Sequence, residues 1–248
     1  MKKPVLELKD ISKSFDEKQV LKNISFKIQK GELIAIIGPS GSGKSTLMNV
    51  ITKSTNYNTG EMLIEGIPSI SINSSKDYAK KIGIIKQQFD LVRELPVIQN
   101  VLVGRLNEWG FIKSLISLIK PLEEEKGLKA LESVGIREKA YSITSQLSGG
   151  EQQRVAIARL LVQDPEIFLA DEPISSLDPS RAKDVLTLIT KLSKEKKKTL
   201  VASMHSVEYV KKYFNRVIGI KNGNIIFDKP VESLTDEILE ELYRLEEG

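Results

Sequence analysis

The chain has 248 residues, of which 40% are hydrophobic and 28% charged, and a formal net charge of +4. That length can bury one large core, or a core with a subdomain. With no cysteine a disulfide framework and a thiolate metal site are excluded. No apolar run approaches the ~18 residues that span a bilayer, and the opening MKKPVLELKD lacks the apolar segment of a secretory signal, so a soluble protein is expected, reaching a membrane only through a partner.

VLELKDISKSF (5–15) and NISFKIQ (23–29) alternate apolar and polar residues, as half-buried antiparallel strands do. ELIAIIG (32–38) is a continuous apolar run and predicts a strand buried on both faces. GPSGSGKST (38–46) follows it and leads into LMNVIT, which predicts a helix. Further strands are expected at EMLIEG (61–66) and KIGIIKQ (81–87). From 88 to about 165 helical periodicity takes over, in VIQNVLVG, SLISLI, EEEKGLKALESVG and GGEQQRVAIARLLVQ. Buried strands return at EIFLADE (166–172) and KTLVASMH (198–205), separated by the helix RAKDVLTLITKLSKE. The lysine cluster KEKKK (194–198) has no aromatic residue to stack bases, so it is read as a solvated helix end and no nucleic-acid partner is expected. RVIGIKNGNIIFDK predicts a hairpin, with Asn222 and Gly223 supplying the positive φ angles of a tight turn, and TDEILEELYRLEE closes as an acidic helix. The pattern predicts an α/β fold with a helical insertion.

Gly38, Pro39, Ser40, Gly41, Ser42, Gly43, Lys44 and Ser45 satisfy G-x-x-x-x-G-K-[ST], with Thr46 next. Glycines let backbone N–H groups wrap phosphates, Lys44 reaches the β and γ phosphates, and Ser45 offers its hydroxyl to Mg²⁺. A buried strand before and a helix after supply the context this motif needs. Asp171 and Glu172 stand at the end of a buried strand, which in a parallel sheet faces the ligand crevice. Asp171 is assigned to Mg²⁺ and Glu172 to the attacking water. His205, the one histidine, follows another buried strand at the same edge and is placed near the γ-phosphate and water. Gln87, with Gln88 as the neighbouring candidate, is placed where the helical insertion begins, able to sense Mg²⁺ or water. In LSGGEQQRVAIAR (147–159) Ser148, Gly149 and Gly150 precede a helix, a second arrangement suited to anions because free N–H groups and the helix dipole meet there. Asp178 with Pro179 reads as a turn and helix start.

Together these residues resemble the ATP-binding subunits of ABC transporters: GPSGSGKST matches Walker A, LSGGEQQR the signature motif, IFLADEP Walker B, SSLD the D-loop, Gln87 the Q-loop and His205 the switch histidine. The resemblance implies a P-loop NTPase core, mainly a parallel sheet with an antiparallel β subdomain (1–87 and 166–248), plus an inserted α-helical subdomain (88–165) carrying the signature motif. It implies ATP and Mg²⁺ as ligands, with Ser45, Gln87 and Asp171 toward the metal and Glu172, His205 and Gln87 in catalysis. Phe15 falls where the family stacks an aromatic on adenine. The resemblance further implies a head-to-tail homodimer in which Ser148, Gly149, Gly150 and Glu151, with Asp178, close over the partner's nucleotide. Transmembrane permease subunits would dock near the Q-loop and helical subdomain, with an extracytoplasmic solute-binding protein acting indirectly, and the location would be peripheral, on the cytoplasmic face of the membrane.

Within that family the chain looks most like phosphonate importer ATPases, through QNVLVGRL with Trp109 following, EKAYSITSQLSGGEQQRVAIAR, LADEPISSLDP and the hairpin with its acidic helix. Two residues depart from the pattern: Lys86 replaces an aromatic before the Q-loop glutamine, and Phe15 replaces the commoner tyrosine. The alternatives are an ABC system for phosphite, phosphate or amino acids, or an exporter. A DNA-repair ATPase would carry long heptads between Gln87 and Ser148, and none are sustained there. A translation ATPase would carry two motif sets, and a nucleotide kinase would leave LSGGEQQR unexplained.

Overall fold

The structure is a computed structural model that describes residues 3–109, 122–175 and 177–244. The chain opens with two long strands, Leu6–Phe15 (β1) and Lys18–Ile28 (β2), paired antiparallel as their alternation predicts. Leu33–Ile37 (β3) runs into the helix Lys44–Ile51 (α1). Thr59–Ile64 (β4) and Ile67–Pro68 (β5) then complete a four-stranded sheet in the order β2-β1-β4-β5.

A short helix, Ser75–Ala79 (α2), leads to Ile82–Ile85 (β6). Three helices follow among the described residues: Val97–Leu102 (α3), Glu124–Ser133 (α4) and Gly149–Gln163 (α5). Then come Ile167–Ala170 (β7), Pro179–Glu195 (α6), Thr199–Met204 (β8), Val207–Tyr213 (α7), the hairpin Arg216–Lys221 (β9) and Asn224–Pro230 (β10), and Asp236–Tyr243 (α8). The second sheet has the order β10-β9-β3-β8-β7-β6. It is parallel from β9 to β6, and only β10 runs antiparallel, through the Asn222–Gly223 turn.

The apolar run in β3 is explained by its central place, since all five residues are buried. Leu33, Ala35 and Ile37 enter one core with α3 to α7, and Ile34 and Ile36 enter the other with α1 and the antiparallel sheet. Burying such a Leu or Ile contributes about 1.5–3 kcal/mol. The same alternation governs β7 and β8. Leu169 and Val201 face the α1 core, so the next residues of equal parity, Asp171 and Ser203, continue on the α1 side.

One expectation is corrected. The strand expected at 81–87 ends at Ile85, leaving Lys86 and Gln87 exposed in a turn. The first helix of the insertion begins at Val97, the first residue of VIQNVLVG. Residues 88–96 are held as a loop because Phe89 and Asp90 adopt left-handed φ angles of 57° and 47°. The Asn100 amide donates to the Val92 carbonyl and its oxygen accepts from the Val92 N–H, both at 2.8 Å. The helical expectation at SLISLI lies outside the described residues.

Candidate active site

The loop between β3 and α1 is shaped by two glycines. Gly38 has φ 155°, and a Cβ there would lie 1.9 Å from the Ile220 carbonyl oxygen, so no side chain fits. Gly43, at φ 108°, caps α1 with no side-chain hydrogen bond, and its Cβ would meet Leu21 Cδ2 at 2.9 Å. The first N–H groups of α1 are therefore not taken by a capping side chain. Lys44 is buried, and its Nζ donates to the carbonyls of Gly38 (2.8 Å) and Pro39 (3.0 Å). Burial pushes the Lys44 ammonium below its ordinary pKa, and the nearby charges of Glu172 and Asp171 oppose that shift.

A cavity of about 1170 Å³ opens over this loop. Ser40, Gly41, Gly43, Lys44, Ser45 and Thr46 line it, as do Phe15 from the end of β1 and Glu172. Phe15 is 46% exposed, with Lys13 Nζ 4.7 Å from its ring centroid, so it is a surface aromatic and not a core residue. Gly38, Pro39 and Ser42 lie behind the lining, and Ser42 Oγ is buried without a hydrogen-bond partner.

The two acids follow β7 directly, and their side chains part company there. Asp171 Oδ1 accepts from Ser203 Oγ at 2.7 Å and from Ser45 Oγ at 3.3 Å. Glu172 takes a left-handed φ of 48°, sparsely populated by non-glycine residues. Its N–H donates to Ser203 Oγ at 2.7 Å, and its Oε1 is 2.6 Å from His205 Nε2. An ionised carboxylate only accepts, so His205 carries a proton on Nε2 in this pairing. A smaller cavity of about 200 Å³ lies on the other side of Glu172 and His205, lined also by Ser203 and Tyr209.

The donor set suits a hard cation of Mg²⁺ type. Ser45 and Asp171 bring two oxygens together, and no cluster of three or more acidic, histidine or cysteine groups exists among the described residues to cage a metal. Such a cation would depend on non-protein oxygens, as Mg²⁺ does beside phosphates. Gln87, expected near the same metal, is exposed two residues beyond Ile85, whose carbonyl accepts from the Asp171 N–H at 2.9 Å. Its side chain does not line the cavity.

The signature stretch lies apart. Ser148 caps α5 in a reciprocal box: its Oγ accepts from the Glu151 N–H at 3.4 Å, and Glu151 Oε2 accepts from the Ser148 N–H at 2.8 Å. The Ser148 N–H beside the Glu151 carboxylate holds it below the usual range. Ser148, Gly150 and Glu151 border a cavity of about 310 Å³ with Arg154 and Arg181, and none of its lining residues is shared with the cavity over Lys44. A Cβ at Gly149 would meet nothing within 4 Å, so that glycine faces open space. Asp178 accepts from the Arg181 N–H at 3.1 Å as the cap of α6 and does not line the Lys44 cavity.

Sequence reasoning missed three connections. Ser203 joins both acids, and the sign of it was a hydroxyl inside the buried run TLVASM. Gln153 of α5 is fully buried, and its amide donates to the carbonyl of Pro173, next to Glu172. Arg159 of the same helix donates to the carbonyls of Phe89 (2.5 Å) and Asp90 (2.7 Å), tying α5 to the loop after Gln87.

The profile of the family described as ABC transporter matches residues 21–175. Phosphonates import ATP-binding protein PhnC 1 of Nostoc sp. (strain PCC 7120) is 44% identical over 244 residues, covering 96% of this chain and 91% of that protein. The PhnC of Lactobacillus delbrueckii subsp. bulgaricus is 41% identical, covering 97% and 95%. Among solved structures, the ADP conformation of the ATP-binding cassette MJ1267 superposes with a TM-score of 0.81 at 30% identity, covering 96% of this chain and 94% of that one. The dimeric post-hydrolysis state of the cassette MJ0796, bound to ADP and Pi, gives 0.77 at 32% identity, covering 92% and 100%. With the phosphate loop, the paired acids and the fold in agreement with these matches, the chain belongs to the ABC transporter family, as one of its ATP-binding cassettes.

Proposed function

We propose that the chain is the ATP-hydrolysing subunit of an importer for a phosphonate-type solute, working as a head-to-tail pair of copies beneath transmembrane permease subunits. The observation that carries the catalytic part is the run of contacts Ser45–Asp171–Ser203–Glu172–His205 beside the buried Lys44. Backbone N–H groups of the loop cradle the phosphates, and Lys44 turns its ammonium to the β and γ phosphates. Phe15 stacks on the adenine. Ser45 and Asp171 would hold Mg²⁺, with Gln87 reaching it from its exposed turn, and the metal would neutralise charge on the phosphate oxygens. Glu172 accepts a hydrogen bond from the attacking water and takes up its proton, while His205 holds that carboxylate in place and reaches toward the γ-phosphate.

Ser148, Gly149, Gly150 and Glu151 serve the nucleotide of the second copy, with Asp178 at the junction. Support comes from their separation from the Lys44 cavity and from the dimeric form of the MJ0796 cassette. In this reading 88–165 is a helical subdomain on a core of 1–87 and 166–248, supported by the mutual packing of α3, α4 and α5. The grip of Arg159 on the loop after Gln87 supports that loop as the route to a permease. Among the described residues no helix is long and apolar enough to cross a membrane, which fits a peripheral subunit at the cytoplasmic face. The phosphonate assignment rests on the likeness to phosphonate-import relatives at 41–44% identity.

The test is reconstitution of the chain with its co-purifying membrane proteins and solute-binding protein in vesicles. Methylphosphonate should stimulate ATP hydrolysis and accumulate. Stimulation by phosphate or amino acids alone would overturn the solute assignment, and a lack of any ATP hydrolysis would overturn the reading as a whole.

A further inference from the structure

We propose that Ser203, a residue outside the motifs, is the positioning residue that sets both acids of the site at once. The inference rests on the reading of the site as an ATP-hydrolysing one. Ser203 lies in β8, whose six residues are all buried, and is itself fully inaccessible. A hydroxyl has one proton to give and lone pairs to accept with. The proton goes to Asp171 Oδ1 at 2.7 Å, and the oxygen accepts from the Glu172 N–H at 2.7 Å. Both uses are specific to this side chain, because Val201 and Ala202 before it can do neither.

The parallel register explains why the hydroxyl arrives there. Ala170 of β7 pairs with Ala202 of β8, so one residue further on Asp171 stands beside Ser203. The hydroxyl acts where the ladder ends. β7 stops at Ala170, and Glu172 turns to a φ of 48°. A turned residue beyond a strand end has lost its ladder partner, and an unpaired N–H that water does not reach is costly. Ser203 supplies that partner and so holds Glu172 in the conformation from which Oε1 reaches His205. On its other side it fixes one Asp171 oxygen within 3.3 Å of Ser45 Oγ. One hydroxyl thus locks the distance between the group assigned to the metal and the group assigned to water.

The experiment compares Ser203→Ala, Ser203→Thr and Ser203→Val in the full chain, with Lys44→Ala as the reference for the site itself. In Ser203→Ala kcat should fall about 10- to 100-fold, the range for loss of a partner that orients a ligating carboxylate, with the KM for ATP within about twofold. Thr, which keeps the hydroxyl, should restore most of the rate, and Val, of the same volume without it, should not. A second readout needs no nucleotide: the Glu172 amide should exchange at least about 10-fold faster in Ser203→Ala than in the parent chain by NMR, as expected when its acceptor is removed. Parental kcat or unchanged exchange in Ser203→Ala overturns the proposal, and so does equal loss in Thr and Val, which would report space and not the hydroxyl. If Lys44→Ala retains parental turnover, the hydrolysis reading fails instead, whatever Ser203 does.

Discussion

Residues 38–46 and residues 147–151 both set serines and glycines ahead of a helix, yet the two helix starts are held in opposite ways. At α1 the cap is Gly43, which offers no side chain, and Lys44 is buried within the loop with a large cavity above it. At α5 the cap is Ser148, and Glu151 closes the box, so the Ser148 and Glu151 N–H groups are partnered by this chain's own side chains. The first start opens onto the large cavity of its own chain. The second is closed in part by its own box and turns Gly149 to open space. Similar composition therefore does not mean similar use. What differs is whether a capping side chain already partners some of the helix's orphan N–H groups.

The largest effect tests the first start. Lys44→Ala should lower steady-state ATP hydrolysis by at least about 10²- to 10³-fold and weaken ATP binding, since it removes the cation assigned to the β and γ phosphates. Near-parental turnover would show that the loop over α1 is no anion site, and the contrast with α5 would collapse. The second test reads the α5 start through dimerisation. Glu172→Gln keeps shape and removes the carboxylate, so ATP should remain bound and a dimer should appear on a sizing column. Adding Ser148→Arg should abolish that dimer while ATP affinity of the monomer stays close to that of Glu172→Gln alone. A double variant that no longer binds ATP would place Ser148 at its own chain's nucleotide, and one that still dimerises would reduce Ser148 to a cap.

His205→Ala should lower turnover by about 10²-fold with affinity nearly intact, because it removes the partner of Glu172 and not a phosphate cradle. A collapse of affinity instead would move His205 into the binding loop's group. Phe15→Ala should cost about 1–3 kcal/mol of ATP affinity by loss of base stacking, measured by equilibrium titration. The smallest effect falls on the α5 cap. Glu151→Gln should lower stability by up to about 1 kcal/mol near neutral pH, measured by urea unfolding. The Glu151 carboxyl titrates below its usual value in the folded chain. Its extra stabilisation is therefore present above the unfolded carboxyl's pKa and fades as pH falls through the lower folded value. The difference between parent and variant should shrink over that acidic range, and a constant difference would show that charge plays no part in the cap.

Much of the fold was legible because its signals are local. The apolar run at 33–37 reads as a strand buried on both faces, and Asn222–Gly223 reads as a tight turn, since φ angles of 48° and 79° suit those residues. The loop at 88–96 was not legible. It precedes the first helical segment, and its shape is set by Asn100 on one side and by Arg159, 69 residues away from Asp90, on the other. The site divides in the same way. Lys44, Asp171, Glu172 and His205 could be named from motif and from their position at strand ends, whereas Ser203 and Gln153 could not, since a buried Ser or Gln in an apolar run has no partner visible along the chain.

Periodicity, glycine placement and motif spacing act over a few residues, so the amino-acid order alone dictated most strands, the long helices, the phosphate loop and the family. The reach from Ser45 to Asp171 spans 126 residues, and that from Asp171 to Ser203 spans 32. Those distances close only because β3, β8 and β7 lie side by side in parallel register, with the equal-parity residues of β7 and β8 facing α1. Strand order is a property of the whole packed sheet. It therefore fell to the folded chain to decide which hydroxyl meets which acid, and to set the α5 start outside the cavity that its own phosphate loop lines.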